Sequence, residues 1–207
     1  MSNVSPRVRR GTILTVDPTI GTPVGTPITF QYNPEKLTRS LKPQAVSDEP
    51  DRTEIFRLKG PPIETIKCDI EIDATDQLAA GDPVTVSVGI QPQLSALELL
   101  VYPPSGVLIT NEELSLLGTI EILPMDSALT VFAWSAQRIT PVRITDLDIT
   151  EEFFDPQLNP IHAKVSLSMR VLSVTDVGFL TPAGALYMAY QLGKESLAGQ
   201  APSSSGP

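Results

Sequence analysis

Polar and apolar positions alternate most cleanly in two stretches of the chain. From Glu64 to Asp73 (ETIKCDIEID), Ile66, Cys68, Ile70 and Ile72 fall on one face and Lys67, Asp69, Glu71 and Asp73 on the other. From His162 to Leu172 (HAKVSLSMRVL), Ala163, Val165, Leu167, Met169 and Val171 oppose His162, Lys164, Ser166, Ser168 and Arg170. A period of two is that of a β-strand, and a single apolar face predicts an antiparallel sheet with one wet side. Shorter strand-like runs lie at Gly11 to Asp17, Ile28 to Tyr32, Leu129 to Ala136 and Ala136 to Phe153. The Pro- and Gly-rich segment PTIGTPVGTP joins the first two as a hairpin or loop, and Asn33-Pro34 ends the second, because proline cannot donate to a ladder.

Helical spacing is found at Gln91 to Tyr102, with Leu94, Leu97, Leu100 and Val101 on one side and Pro103-Pro104 as the stop. It returns at Thr181 to Leu197, which opens with Thr then Pro, an N-cap and first-turn pair. Residues 43–62 are polar and bounded by prolines, and read as a long loop ordered by a partner; the stretch containing Gly106 and Asn111 reads as a second loop. The prediction is an α+β fold, mostly β with two helices: one antiparallel barrel or sandwich over residues 1–178, followed by a C-terminal helix and flexible tail at 179–207.

Charge adds a polarity that periodicity does not show. The chain carries a net charge of −9, yet residues 1–42 hold six Lys or Arg against two Asp or Glu, and residues 43–207 hold nine against twenty-two. An acidic surface disfavours nucleic acid, whose phosphates need clustered cations, whereas opposite charge at two places on one subunit suits docking between subunits. No run reaches the roughly 18 apolar residues of a membrane span. The N-terminus has no apolar stretch before a cleavage site, so synthesis and folding in the cytoplasm are expected.

Residues that would carry chemistry are sparse. Cys68 and His162 are the only cysteine and histidine, too few for a zinc site or a disulfide. There is no G-x-S-x-G elbow to pair with His162, which is read as a satisfied surface residue. The acids at 69, 71 and 73 lack the glycine and distal glutamate of a calcium loop. Glu112-Glu113 and Glu151-Glu152 are adjacent in sequence, and neighbours on a strand point oppositely, so they are read as solvated charge rather than a glycosidase pair. No phosphate-cradling loop is present. The expectation is a protein that is not an enzyme and carries no metal or cofactor.

Two motifs, FQYNPEKLTRSL (Phe30 to Leu41) and FFDPQLNPIHAKVSLSMRVL (Phe153 to Leu172), resemble those of the tube-like baseplate proteins of contractile injection systems, which are phage-tail-derived particles. Phe30, Tyr32, Asn33 and Pro34 match the family's first motif; Phe154, Asp155, Leu158, Asn159, Pro160, Ala163, Val165 and Leu167 match the second. The resemblance spans most of residues 10–175. It implies a tail-tube β-barrel or sandwich that assembles as a sixfold ring joining the trimeric spike hub to the inner tube. Its partners would be further copies of itself, the spike or hub protein, inner tube proteins and baseplate wedge proteins, with no nucleic acid. Many members add a C-terminal LysM module that anchors the ring; this chain has a helix and APSSSGP in that place. Phe30, Tyr32, Asn33, Pro34, Lys36, Arg39, Lys42, Phe154, Asp155, Asn159 and Pro160 are then expected to form docking surface. An inner-tube subunit of the same particle and, from another class, a carbohydrate-binding β-sandwich remain alternatives.

Overall fold

The computed structural model describes residues 9–45, 57–116 and 129–201. Strands β1 (Thr12–Val16), β2 (Pro23–Thr29), β3 (Leu37–Ala45) and β4 (Leu58–Asp73) are followed by helices α1 (Thr75–Ala79), α2 (Pro83–Val88), α3 (Gln91–Glu98) and α4 (Ser105–Leu116). Strands β5 (Leu129–Ser135), β6 (Arg138–Phe154) and β7 (Pro160–Val171) then lead to α5 (Val174–Val177) and α6 (Pro182–Ala198). The strands form one antiparallel sheet in the order β2-β1-β5-β6-β7-β4-β3.

β7 lies inside the sheet, between β6 and β4, where its apolar face is buried along its whole length. Ala163, Val165, Leu167, Met169 and Val171 are all buried, paired with β4 on one side and β6 on the other. Ile66, Cys68, Ile70 and Ile72 of β4 join the same core, with Ile13 of β1 and Ile90, Leu94 and Leu97 around α3. Strands far apart in the order thus share one core, so the sheet is curled around it. The curl is tied by Gln31, just past β2, whose amide accepts from the Asp73 N–H (3.0 Å) and donates to the Asp73 carbonyl (2.8 Å) at the end of β4. A side chain here makes the pair of bonds that a strand neighbour would make.

The sheet is open: no ladder among the described residues joins β2 to β3, so the closed form expected from the sequence is not present in the subunit's backbone pairing. Three further expectations are corrected. The second strand lies at Pro23–Thr29 rather than Ile28–Tyr32, because an edge strand tolerates Pro23 and Pro27 where a central one would not. Much of the expected loop at 43–62 is strand, since β3 and β4 extend as a ribbon whose register still pairs Ala45 with Leu58; residues 46–56 lie outside the described residues, as does the expected tail at 202–207. Four helices accompany the two expected. α4, at the segment read as a loop, starts just past Pro103-Pro104, while α1, α2 and α5 are too short to show a helical period. The expected helices are present as α3 and α6, the latter capped by Thr181, whose Oγ1 accepts from the Gly184 N–H at 3.0 Å.

Phe132 is the best-packed aromatic, fully buried between Phe30 and Trp134 with ring centroids 6.3 and 6.1 Å away. Phe132→Ala is expected to lower the stability by about 3–5 kcal/mol in a denaturant titration. Ile20→Ala, at an exposed side chain, should change it by no more than about 0.5 kcal/mol.

Candidate functional site

The segment after β2 is divided between core and surface. Phe30 is 3% exposed and belongs to the core, so its ring is not docking surface on this subunit. Asn33 turns the chain and accepts from the Gly11 N–H (2.9 Å) while donating to the Arg9 carbonyl (2.8 Å), fixing the turn to the start of β1. Tyr32, Lys36 and Lys42 are exposed, and Pro34 is half-buried. The three cations of this segment do not act together. Alternation along β3 turns Thr38, Ser40 and Lys42 outward and Arg39 inward, where it meets Glu64.

Glu64 is the residue that composition and motif reading passed over. It lies two positions before Ile66, on the apolar face of β4, and is 3% exposed. Its carboxylate accepts from Arg39 Nε (2.8 Å), from the Tyr190 hydroxyl (2.9 Å) and from Lys194 Nζ (3.4 Å). Burial works against ionisation here, but the Arg39 hydrogen bond, the Lys194 charge and the Tyr190 hydroxyl outweigh it and hold the carboxyl below its ordinary range. Tyr190 is pushed up to about 12, by burial and by the adjacent carboxylate. One buried charge therefore joins β3, β4 and α6. The signal was legible as an acid in phase with an apolar stripe.

At the other end of the sheet, β6 and β7 meet in the turn FFDPQLNP. Asp155 holds this turn: its Oδ1 accepts from the Gln157 and Asn159 N–H groups (both 2.8 Å), and its Oδ2 accepts from Asn159 Nδ2 (2.8 Å). Hydrogen bonding to Asn159 keeps the Asp155 carboxyl below its ordinary range, despite some desolvation. Phe153 and Leu158 have φ of 54° and 67°, left-handed values that non-glycine residues adopt at a cost of about 1–2 kcal/mol each. The turn is thus held in a strained shape that displays Phe153, Phe154 and Leu158, which are 70%, 51% and 79% exposed. Its base is braced by the α2–α3 joint. Ile90 N–H donates to the buried Pro160 carbonyl (2.9 Å), and a Cβ on Gly89 would lie 2.2 Å from that same oxygen, so only glycine fits there.

Between these regions runs a charged face. Asp69, Glu71 and Asp73 of β4 and Asp148 and Glu152 of β6 flank Ser166, Lys164 and His162 of β7. His162 Nε2 lies 2.8 Å from Glu71 Oε1 and its Nδ1 lies 3.2 Å from Glu152 Oε2, while Lys164 bonds Glu152 at 3.1 Å. Among the described residues no three metal-ligating side chains converge. β5 pairs with β6 only over Arg138 to Val142. From Arg143 to Phe154, β6 therefore has one edge without a ladder partner among the described residues, and Asp146, Asp148 and Glu151 on it are exposed.

No protein-family model matches the chain, and no curated protein is found similar to it. No helix among the described residues is long and apolar enough to cross a membrane.

Two outcomes follow for these groups. Because Arg39 and Lys194 are partly solvated, Glu64→Gln should lower stability at pH 7 by about 1.5–2 kcal/mol, the low end for hydrogen bonds to a charge. The folded carboxyl titrates below the unfolded one, so the contribution is complete above an unfolded pKa of about 4.3 and is lost as pH falls through the folded value. In denaturant titrations at several pH values the gap between wild type and variant should close below about pH 4; a constant gap down to pH 3 would contradict this. Leu158→Gly, which releases left-handed strain, should leave the subunit equally stable or raise its stability by up to about 1 kcal/mol, measured the same way.

Proposed function

We propose that this chain is a non-catalytic assembly subunit, a baseplate component of a phage-tail-like contractile injection system that forms a ring between the spike hub and the inner tube. The curled sheet is, in this reading, a tail-tube type β domain, assembled in the cytoplasm and incorporated into the particle. The observation that carries it is the pairing potential of two strand edges. β3 is the last strand of the sheet and presents Lys42, with Lys36 just before it; the part of β6 with no second partner among the described residues presents Asp146, Asp148 and Glu151. Exposed edges are templates for another strand, and opposite charge selects an unlike edge over a like one. Joining β3 of one copy to β6 of the next is a heterologous contact, which repeats around an axis and closes as a ring when the rotation permits. The two quoted sequence motifs add to this, since each lies beside one of these features: the first leads into β3, and the second forms the turn that ends β6.

The surface cations to reverse are Lys36 and Lys42. Arg39, grouped with them on sequence grounds, is committed to Glu64 within the subunit, and its substitution would confound assembly with stability. Single exposed ion pairs contribute only about 0–1 kcal/mol, but the loss recurs at every interface of a ring and like charges add repulsion. Lys36→Glu with Lys42→Glu should fold normally by circular dichroism and fail to form rings or particles by electron microscopy when co-expressed with the hub and tube proteins. Adding Asp146→Lys and Asp148→Lys should restore assembly. Normal particles from the lysine variant would refute this edge assignment.

A further inference from the structure

Glu64 organises more hydrogen-bond donors than it uses. Arg39 spends Nε and one Nη on Glu64 and Tyr190, leaving the N–H groups of its other terminal nitrogen; Lys194 spends one of three protons, its ammonium lying 3.9 Å above the Tyr190 ring. These groups open onto a pocket of about 290 Å³ lined by Arg39, Arg138, Lys194, Ser135, Gln137, Tyr190 and Leu197. Three cations line it and, among the described residues, no carboxylate does, the buried Glu64 lying behind the lining residues. Arg138 has no carboxylate partner among the described residues. In a chain of net charge −9 this is a local excess of positive charge, with Tyr190 and Leu197 adding apolar surface to the lining. Low-dielectric walls strengthen the field in a cleft, and cations already fixed by a buried partner have less freedom to lose on binding.

We propose that this pocket is an oxyanion site, taking a phosphate or carboxylate group on Arg39, Arg138 and Lys194 with the Ser135 hydroxyl as a neutral donor. Its volume suits the charged head of a ligand rather than a whole nucleotide. Planar guanidinium groups match both oxyanions, and the two sources differ in geometry and charge.

The test uses the full chain at a concentration where sedimentation shows single subunits, so that it is independent of ring formation and its failure leaves the edge assignment untouched. Inorganic phosphate and glutarate are titrated separately at pH 7 against sodium chloride of equal ionic strength, followed by the thermal unfolding midpoint and by calorimetry. At least one of the two should raise the midpoint above the chloride control with saturable binding. Preference for phosphate assigns a phosphate source, and preference for glutarate assigns a carboxylate source. Arg138→Gln, which leaves the Glu64 bonds in place, should weaken binding about tenfold, as expected for loss of one charge-assisted contact. Ser135→Ala provides a milder second variant, expected to weaken binding by a smaller factor. Absence of saturable binding by either anion, or unchanged affinity in folded Arg138→Gln, would overturn the proposal.

Discussion

An antiparallel sheet must pair the backbone of every strand, and one that does not close leaves two edges that something else must satisfy. Most of this structure is arranged around that constraint. The β2 edge is blunted by Pro23 and Pro27 and by the left-handed Gly25, while Gln31 beyond it imitates a strand neighbour for Asp73. The β3 edge, interrupted once by Pro43, and the length of β6 that has no second partner among the described residues rely mainly on charge. They carry charge of opposite sign, which repels a second copy of the same edge and favours the other. Proline removes a donor from the edge wherever it stands, at Pro43 of β3 as well as in β2, whereas charge favours one partner over another.

Two local devices hold the ends of this arrangement rigid. At one end the Glu64 carboxylate binds a side chain from β3 and two from α6, so the edge ribbon cannot move independently of the C-terminal helix. At the other, the Asp155 hydrogen bonds and the close fit of Gly89 against Pro160 keep a strained turn in one shape. The burial of Cys68 belongs to the same logic. Desolvation, with a smaller effect of Asp69, pushes its thiol up to about 11, so it is a core residue of β4 rather than a reactive one.

The alternating strands were legible because one face of β4 and of β7 is buried along most of its length, which imposes the period of two directly on the residues. The capped α6 was legible for a similar reason, since Thr181 and Pro182 mark its start. β2 was displaced because proline and glycine, which argue for a loop in a central position, are compatible with an edge, and edge position is a property of the whole sheet. Arg39 was grouped with Lys36 and Lys42 by proximity in sequence, although one residue of offset on a strand reverses the face. The four short or weakly amphipathic helices gave no period to read. Among the described residues β6 runs on past its β5 partner because β6 is 17 residues long and β5 only 7, a mismatch that appears once the register is known.

The central claim is that β3 of one copy pairs with β6 of another, and amide hydrogen exchange followed by mass spectrometry, on the isolated subunit and on the assembled state, tests it most directly. On assembly the outward-facing amides of residues 37–45 and 143–154 should become protected together, to a similar degree, while those of β7, already paired on both sides, change little. An assembled state in which both segments exchange as fast as in the single subunit would contradict it.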